Sequence, residues 1–345
     1  MTKKTDSNSE NVRILFFALA IIGSVLHVAT PLFAESPDSA ARIERAKQAT
    51  VGILGEAVQE NLRKEFGVSV SVRGTGIHLG QGYIVTARHA VERTEGSRQV
   101  IPETIRVLTD DLRELPAMRK GANAYMDVAL YQLSPNELEW PASSVPVSPQ
   151  PVTYGDEVFT VGYPLGWGPA ISFGKVGNPN AFLPTLQSRV MQIDLSACRG
   201  NSGGGLLNRE GELVGLVNAI IQTDMEQGDR RCSRLAFALP GLLVNRVITA
   251  LQEDRIPGFS LLGLQLETRN KDGRWVLVIE KATGPSRHAG FRKEDMLVAI
   301  NGIPITSSAQ LKNYLIEQTE PGQSVTISIR REDVDKDVEV ILGGG

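Results

Sequence analysis

The most chemically suggestive stretch of the chain is Cys198-Arg199-Gly200-Asn201-Ser202-Gly203-Gly204, a serine enclosed by glycines. Alternating apolar residues lead into it from Val190 to Leu195 and out of it from Gly211 to Val217, so it reads as a tight turn between two strands. Such a turn can hold a hydroxyl at the surface with backbone N–H groups pointing the same way. Gly200 lets the backbone turn its N–H outward, and Gly203 and Gly204 leave space beside the hydroxyl. This is the geometry of an acyl-transfer nucleophile with an oxyanion hole, although a plain glycine-rich turn uses the same residues. A serine hydroxyl is a weak nucleophile at neutral pH, so the chemical reading requires a base and an acid that orients the base. His89 ends the run Gly82-Tyr83-Ile84-Val85-Thr86-Ala87, where it can face a cleft; Asp127 opens the apolar run Val128 to Leu133. Taken singly, each has an ordinary alternative: a histidine satisfied by local hydrogen bonds, and an aspartate that only shapes a turn. His78, in the partner strand, keeps that ordinary reading.

The elements that must position these groups can be read from composition and pattern. At 345 residues the chain has room for two ordinary domains. Its net charge of -3 provides no basic field for nucleic acid. The 34 glycines, the scarcity of aromatics and many short β-branched runs indicate a mostly β protein with numerous tight turns. The four histidines, His27, His78, His89 and His288, are too scattered to form a metal site, and no cofactor is called for.

Residues 1–34 combine a polar start carrying Lys3, Lys4 and Arg13 with an apolar run from Ile14, which fits a cleaved signal peptide or, alternatively, a membrane anchor. Residues 36 to 66 read as helical, with Ser36 as cap, Pro37 in the first turn and apolar residues at Ile43, Ala46, Ala49 and Val51. Strands are expected at Val68 to Val72, at Gly74 to Ile77 and Gly82 to Ala87 as a hairpin, and at Thr104 to Leu108. An amphipathic helix from Leu242 to Leu251 and a linker at Ile256-Pro257-Gly258 close the first unit. The remainder reads as strand, strand, short helix, strand, helix, strand, strand.

Read together, the three candidate groups resemble the trypsin-like serine proteases. Thr86-Ala87-Arg88-His89, Asp127-Val128-Ala129-Leu130 and Gly200-Asn201-Ser202-Gly203-Gly204 match that family's three motifs in order. Tyr154 to Gly166, Gly211 to Gly215 and Phe237-Ala238-Leu239-Pro240 narrow the resemblance to HtrA/Deg proteases. It implies a trypsin-like double β-barrel over residues 35–254, with Ser202 as nucleophile, His89 as base, Asp127 as orienting acid, and the N–H groups of Gly200 and Ser202 as oxyanion hole. It further implies an S1 pocket bordered by Phe237, Ala238, Asn218, Ala219 and Ile220. With Ser196 at its base in place of an acid, that pocket would take small or medium aliphatic residues. Cys198 and Cys232, the only cysteines, flank the nucleophile and the S1 strand; trypsin has a disulfide at a similar place, and export makes oxidation plausible, with two free thiols as the alternative. Two departures stand out: Arg199 replaces the usual proline before the nucleophile motif, and residues 35–65 lack the aromatics that HtrA trimers use.

The last segment, 258–345, resembles a PDZ domain, a β-rich α+β fold. Leu261-Leu262-Gly263-Leu264 corresponds to its carboxylate-binding loop, Gly284 to Phe291 and Asp295 to Gly302 to its central segment, and a helix from about Ser308 to Glu317 to the groove's other wall. The implied protein is an exported, ATP-independent serine endopeptidase acting on unfolded or mislocalised proteins, its PDZ domain binding peptide C-termini. A membrane-tethered protease with one dedicated partner, and a protease-like PDZ scaffold or chaperone, are the rivals. A membrane tether and a homo-oligomer are open expectations.

Overall fold

The computed structural model describes residues 37–56, 70–134, 143–182, 189–220, 232–255, 258–271 and 273–344. The expected leader, residues 57–66 of the expected helix, and Ile256 and Pro257 lie outside them. Among the described residues no helix is long and apolar enough to cross a membrane.

Helix α1 (Pro37–Gln48) is shorter than its periodicity suggested, because strand β1 (Thr50–Glu56) follows at once. Val51 looked like one more turn of helix, yet Val51 and Ile53 both point into a barrel, and Gly52 and Gly55 favour no helix. The barrel is closed by β1, β2 (Val70–His78), β3 (Tyr83–Ala87), β8 (Val128–Leu133), β7 (Glu114–Asn123) and β6 (Thr104–Leu108) in that order. Helix α2 (Arg88–Val91) and the small hairpin of β4 (Arg93–Glu95) and β5 (Arg98–Val100) interrupt it after β3. The second closed barrel runs β10 (Ala170–Phe182), β11 (Arg189–Cys198), β14 (Cys232–Pro240), β13 (Leu213–Ile220), β12 (Gly205–Leu207) and β9 (Glu157–Gly162). Strand β7 gave no clear signal in the sequence.

The apolar strands are explained by burial on both faces. Along β8, Ala129 and Tyr131 point into the first barrel, while Val128 and Leu130 point into the seam between the barrels. Val161, Leu216, Phe237 and Leu239 meet them there, and α3 (Gly241–Gln252) lays Leu243, Val244, Val247 and Leu251 over the same seam. The cleft that holds a site at strand ends is therefore backed by a continuous core.

His78 pins the β2–β3 hairpin. The Gly82 N–H donates to its Nε2 at 3.1 Å, so the ring proton sits on Nδ1, 2.8 Å from the Ser143 carbonyl. Burial pushes its pKa below 6.5, the backbone bond to Ser143 opposing more weakly. Because the folded value lies below the unfolded one, the unfolded chain takes up the proton first as pH falls. Stability is therefore complete above about pH 6.5 and is lost as pH drops toward the folded value. Melting curves between neutral and mildly acidic pH should show wild type losing its stability advantage over His78→Gln; a constant difference would contradict the assignment.

The C-terminal unit has β15 (Ser260–Leu261), β16 (Leu264–Lys271), β17 (Arg274–Ala282), α4 (Gly284–His288), β18 (Met296–Ile300), β19 (Ile303–Pro304), α5 (Ser308–Gln318), β20 (Ser324–Arg331), β21 (Val334–Ile341) and β22 (Gly343–Gly344). Its main sheet orders β16-β17-β18-β20-β21, leaving β16 as an edge, and β15 pairs β22. Beneath it Asp295, 1% exposed, takes two bonds of 2.6 Å from Arg331 and one of 2.8 Å from the Arg292 N–H. Burial alone would raise the Asp295 pKa; these bonds outweigh it and hold the carboxyl below its ordinary value. Arg331→Leu would strand a buried charge, with an expected loss of about 3–5 kcal/mol in chemical denaturation.

Candidate active site

His89 and Asp127 are brought together by the ends of β3 and β8, which pair from Tyr83–Gln132 to Ala87–Val128. A tight turn precedes β8: the Asn123 Oδ1 accepts the Met126 N–H at 2.9 Å, and Asp127 adopts φ of +53°, a conformation that aspartate tolerates better than most residues. The Arg88 N–H donates to the Asp127 carbonyl at 2.8 Å, locking α2 to this turn. The carboxylate is mostly buried and accepts three bonds. Its Oδ1 receives the His89 N–H at 2.9 Å, and its Oδ2 lies 2.5 Å from His89 Nδ1 and 2.7 Å from Asn218 Nδ2. An Nδ1 proton directed at a carboxylate leaves Nε2 as the free acceptor, on a ring still 44% exposed to solvent.

The turn from Gly200 to Gly204 is held just as closely. Gly200 has φ of +101°, and a Cβ there would fall 2.1 Å from the Tyr163 carbonyl oxygen. Gly203, at φ of +85°, would bring a Cβ 2.2 Å from the Thr75 carbonyl oxygen. Neither position can carry a side chain without moving backbone. Asn201 ties the turn to its own strand, its N–H donating to the Cys198 carbonyl and its Oδ1 accepting the Cys198 N–H, both at 3.0 Å. The Arg199 carbonyl accepts the Leu165 N–H at 2.6 Å; since a trans peptide sets N–H opposite C=O, the Gly200 N–H points away from Leu165. Among the described residues neither the Gly200 nor the Ser202 N–H has an acceptor. The Ser202 hydroxyl donates to the Asn218 carbonyl at 3.4 Å, and no hydrogen bond joins it to His89.

Two contributions were missed in the sequence. Thr75, fully buried in β2, bonds the Gly200–Gly204 turn through both its N–H and its hydroxyl; only the closely spaced glycines of Gly74-Thr75-Gly76 hint at such an approach. Asn218 was placed on an S1 wall by counting along its strand. At a register shift between Val217 and Ala219, its amide turns to Asp127.

Phe237, Ala238 and Ser196 present their side chains to three different surroundings. Phe237 packs into the seam between barrels and Ala238 into the second barrel, as alternate residues of one strand must. Ser196 is exposed on β11. Ala219 and Ile220 pair through their backbones with Phe237 and Ala236. Cys198 and Cys232 face each other across β11 and β14 and are disulfide-bonded.

In the C-terminal unit Gly263, at φ of +79°, turns the Leu261–Leu264 loop. The Leu262 carbonyl accepts the Ser286 N–H at 3.0 Å, and the Gly263 carbonyl accepts the Thr283 N–H at 2.8 Å and the Ser286 hydroxyl at 2.9 Å. With the carbonyls turned inward, the N–H groups of Leu262 and Gly263 have no acceptor among the described residues. Leu262's side chain, however, is core, whereas Leu261 is half-exposed and Leu264 partly buried at the start of edge strand β16.

Comparison with known proteins agrees with this architecture. Residues 74–216 match the trypsin-like peptidase domain, and residues 260–342 match the PDZ domain. Serine endoprotease DegS of Escherichia coli (strain K12) is 23% identical over 347 residues, covering 95% of this chain and 93% of DegS. The periplasmic pH-dependent serine endoprotease DegQ of the same strain is 27% identical over 338 residues, covering 89% of this chain and 70% of DegQ. Among solved structures, the HtrA-type protease AlgW with tripeptide shares the fold, with a TM-score of 0.70 and 20% identity over 90% of this chain and 98% of that one. Two closed six-stranded barrels, followed by an α+β unit whose sheet ends in edge strand β16, define a trypsin-like peptidase joined to one PDZ domain. The relatives it resembles over most of its length are HtrA/Deg serine endoproteases, and the chain is an enzyme, a serine-type endopeptidase.

Proposed function

We propose that the chain is an exported endopeptidase that cleaves unfolded or mislocalised proteins through Ser202, His89 and Asp127. The observation that carries this reading is the pair of unoccupied N–H groups at Gly200 and Ser202, beside a histidine held by a buried carboxylate. In the reaction the Ser202 hydroxyl turns from the Asn218 carbonyl to His89 Nε2, which takes its proton as Oγ attacks the scissile carbonyl. Asp127 stabilises the imidazolium that forms, and the two N–H groups receive the oxyanion. His89 then returns the proton to the leaving amine, and water resolves the acyl-enzyme.

Protease and PDZ domains are taken as 35–254 and 258–345, with residues 1–34 as leader or anchor. Relatives with a periplasmic name support export. The Leu262 and Gly263 N–H groups, at the mouth of the β16 edge, suit a terminal carboxylate on a peptide added as a strand. Lacking an acid at Ser196, the S1 region favours small or medium aliphatic residues. Incubation with an unfolded and a natively folded form of one test protein should give cleavage of the unfolded form alone, and none with Ser202→Ala. Removal of residues 258–345 should slow cleavage of a protein substrate or abolish its response to an added C-terminal peptide. Cleavage of both forms alike would contradict the substrate class, and an unaltered rate and response after truncation would contradict the PDZ role.

A further inference from the structure

We propose that Thr75 is a positioning residue for the oxyanion hole, acting through its side-chain hydroxyl. The inference rests on the catalytic reading above and adds a residue from the opposite barrel to it. Thr75 lies in β2 and is fully buried. Its hydroxyl donates to the Gly200 carbonyl at 2.6 Å and accepts the Tyr163 N–H at 3.1 Å. Its backbone N–H donates to the Ser202 carbonyl at 2.8 Å. Both residues of the proposed oxyanion hole are therefore held by their carbonyls from one side chain and its own backbone, leaving their N–H groups unengaged.

The bond to Tyr163 extends this hold. Tyr163 begins the turn through Pro164 to Gly166, and the Leu165 N–H of that turn holds the Arg199 carbonyl at 2.6 Å. That carbonyl belongs to the peptide carrying the Gly200 N–H. One hydroxyl, spending its single proton on Gly200 and a lone pair on Tyr163, thus sets the spacing of the two segments whose contact aims the Gly200 N–H. Thr75 is itself anchored, because its carbonyl accepts the Thr86 hydroxyl at 2.6 Å from β3, the strand that delivers His89. Gly203 packs against that same pair, 2.2 Å from each oxygen for a notional Cβ. An aliphatic residue would fill the space but leave the Gly200 carbonyl and Tyr163 N–H buried without partners, and both segments would relax.

The test uses the full chain, first shown to label at Ser202 with a fluorophosphonate; failure of wild type to label would sink the catalytic reading and this inference with it, whereas a labelled wild type with unaffected Thr75 variants would sink this inference alone. Thr75→Val, Thr75→Ala and Thr75→Ser are then compared for kcat and KM on a quenched peptide. Affinity for a peptidyl trifluoromethyl ketone, which forms an oxyanion, is measured in parallel. Ground-state binding is read from the peptide's Kd in a Ser202→Ala background. Loss of the hydroxyl should lower kcat and ketone affinity together by about 10²-fold, with ground-state Kd nearly unchanged, and Thr75→Ser should restore both. A folded Thr75→Val or Thr75→Ala protein with near wild-type kcat, or with its loss shared equally by ground-state binding, would overturn the proposal. Should neither fold, Thr75→Ser decides: retained ketone affinity in a folded protein supports it, and loss of that affinity refutes it.

Discussion

Asp127→Asn is expected to lower kcat by about 10⁴, the size of this exchange in trypsin-like enzymes as a class, with little change in folding. The three bonds to the carboxylate explain why so small a change matters. Asp127 Oδ2 receives both His89 Nδ1 and Asn218 Nδ2, while Oδ1 receives the His89 N–H. An amide has one acceptor and one donor end, so either orientation sets an NH₂ against a donor. With the NH₂ at the Oδ2 position, the imidazole must present Nδ1 as an acceptor and carry its proton on Nε2. It can then no longer take the Ser202 proton. With the NH₂ at the Oδ1 position, it meets the His89 backbone N–H and the turn is strained. Steady-state kinetics with a melting curve check this: a loss of about 10⁴ in kcat in a fully folded protein is expected, and near wild-type kcat would contradict the assigned tautomer.

Gly200→Ala should cost at least about 10²–10³ in kcat, the range for losing one oxyanion donor, while KM moves little. The new Cβ meets the Tyr163 carbonyl at 2.1 Å and the Leu165 nitrogen at 3.2 Å, in a backbone conformation at φ of +101° that alanine adopts poorly. The cheapest relief is rotation of the Arg199–Gly200 peptide, which breaks the Leu165 bond and withdraws the Gly200 N–H. Gly96→Ala is the internal control. Gly96 also has positive φ, +62°, but a Cβ there meets nothing within 4 Å, so stability should fall slightly and kcat should hold. Equal kinetic losses in the two variants would show that backbone strain, not the oxyanion donor, was being measured.

Much of the fold could be read because burial left a strong imprint on the chain. Strands β3, β6 and β8 sit where alternating or continuous apolar runs placed them, and the glycines at 80 and 82 both have positive φ at the hairpin turn. The C-terminal order of strands and helices also follows the sequence pattern. Segment 50–56 was misread because Ile43, Ala46 and Ala49 keep helical spacing up to the point where Val51 enters a barrel. Only closure against β2 and β6 decides that segment, and closure has no local signature.

The site divides in the same way. His89, Asp127 and Ser202 lie in short local motifs, so their candidacy was visible residue by residue. The bond from Asn218 to Asp127 went unread because a bulge changes which way a strand residue faces, and counting cannot detect a bulge. Thr75 escaped notice because its partner at Gly200 is 125 residues away. Its role comes from the packing of one barrel against the other.

Intact-mass analysis after fluorophosphonate treatment, followed by peptide mapping, addresses the central claim most directly. The account predicts one stoichiometric adduct on Ser202 in wild type and none in Ser202→Ala with its fold intact. Folded wild-type protein that stays unmodified, or an adduct that persists in Ser202→Ala, would contradict it.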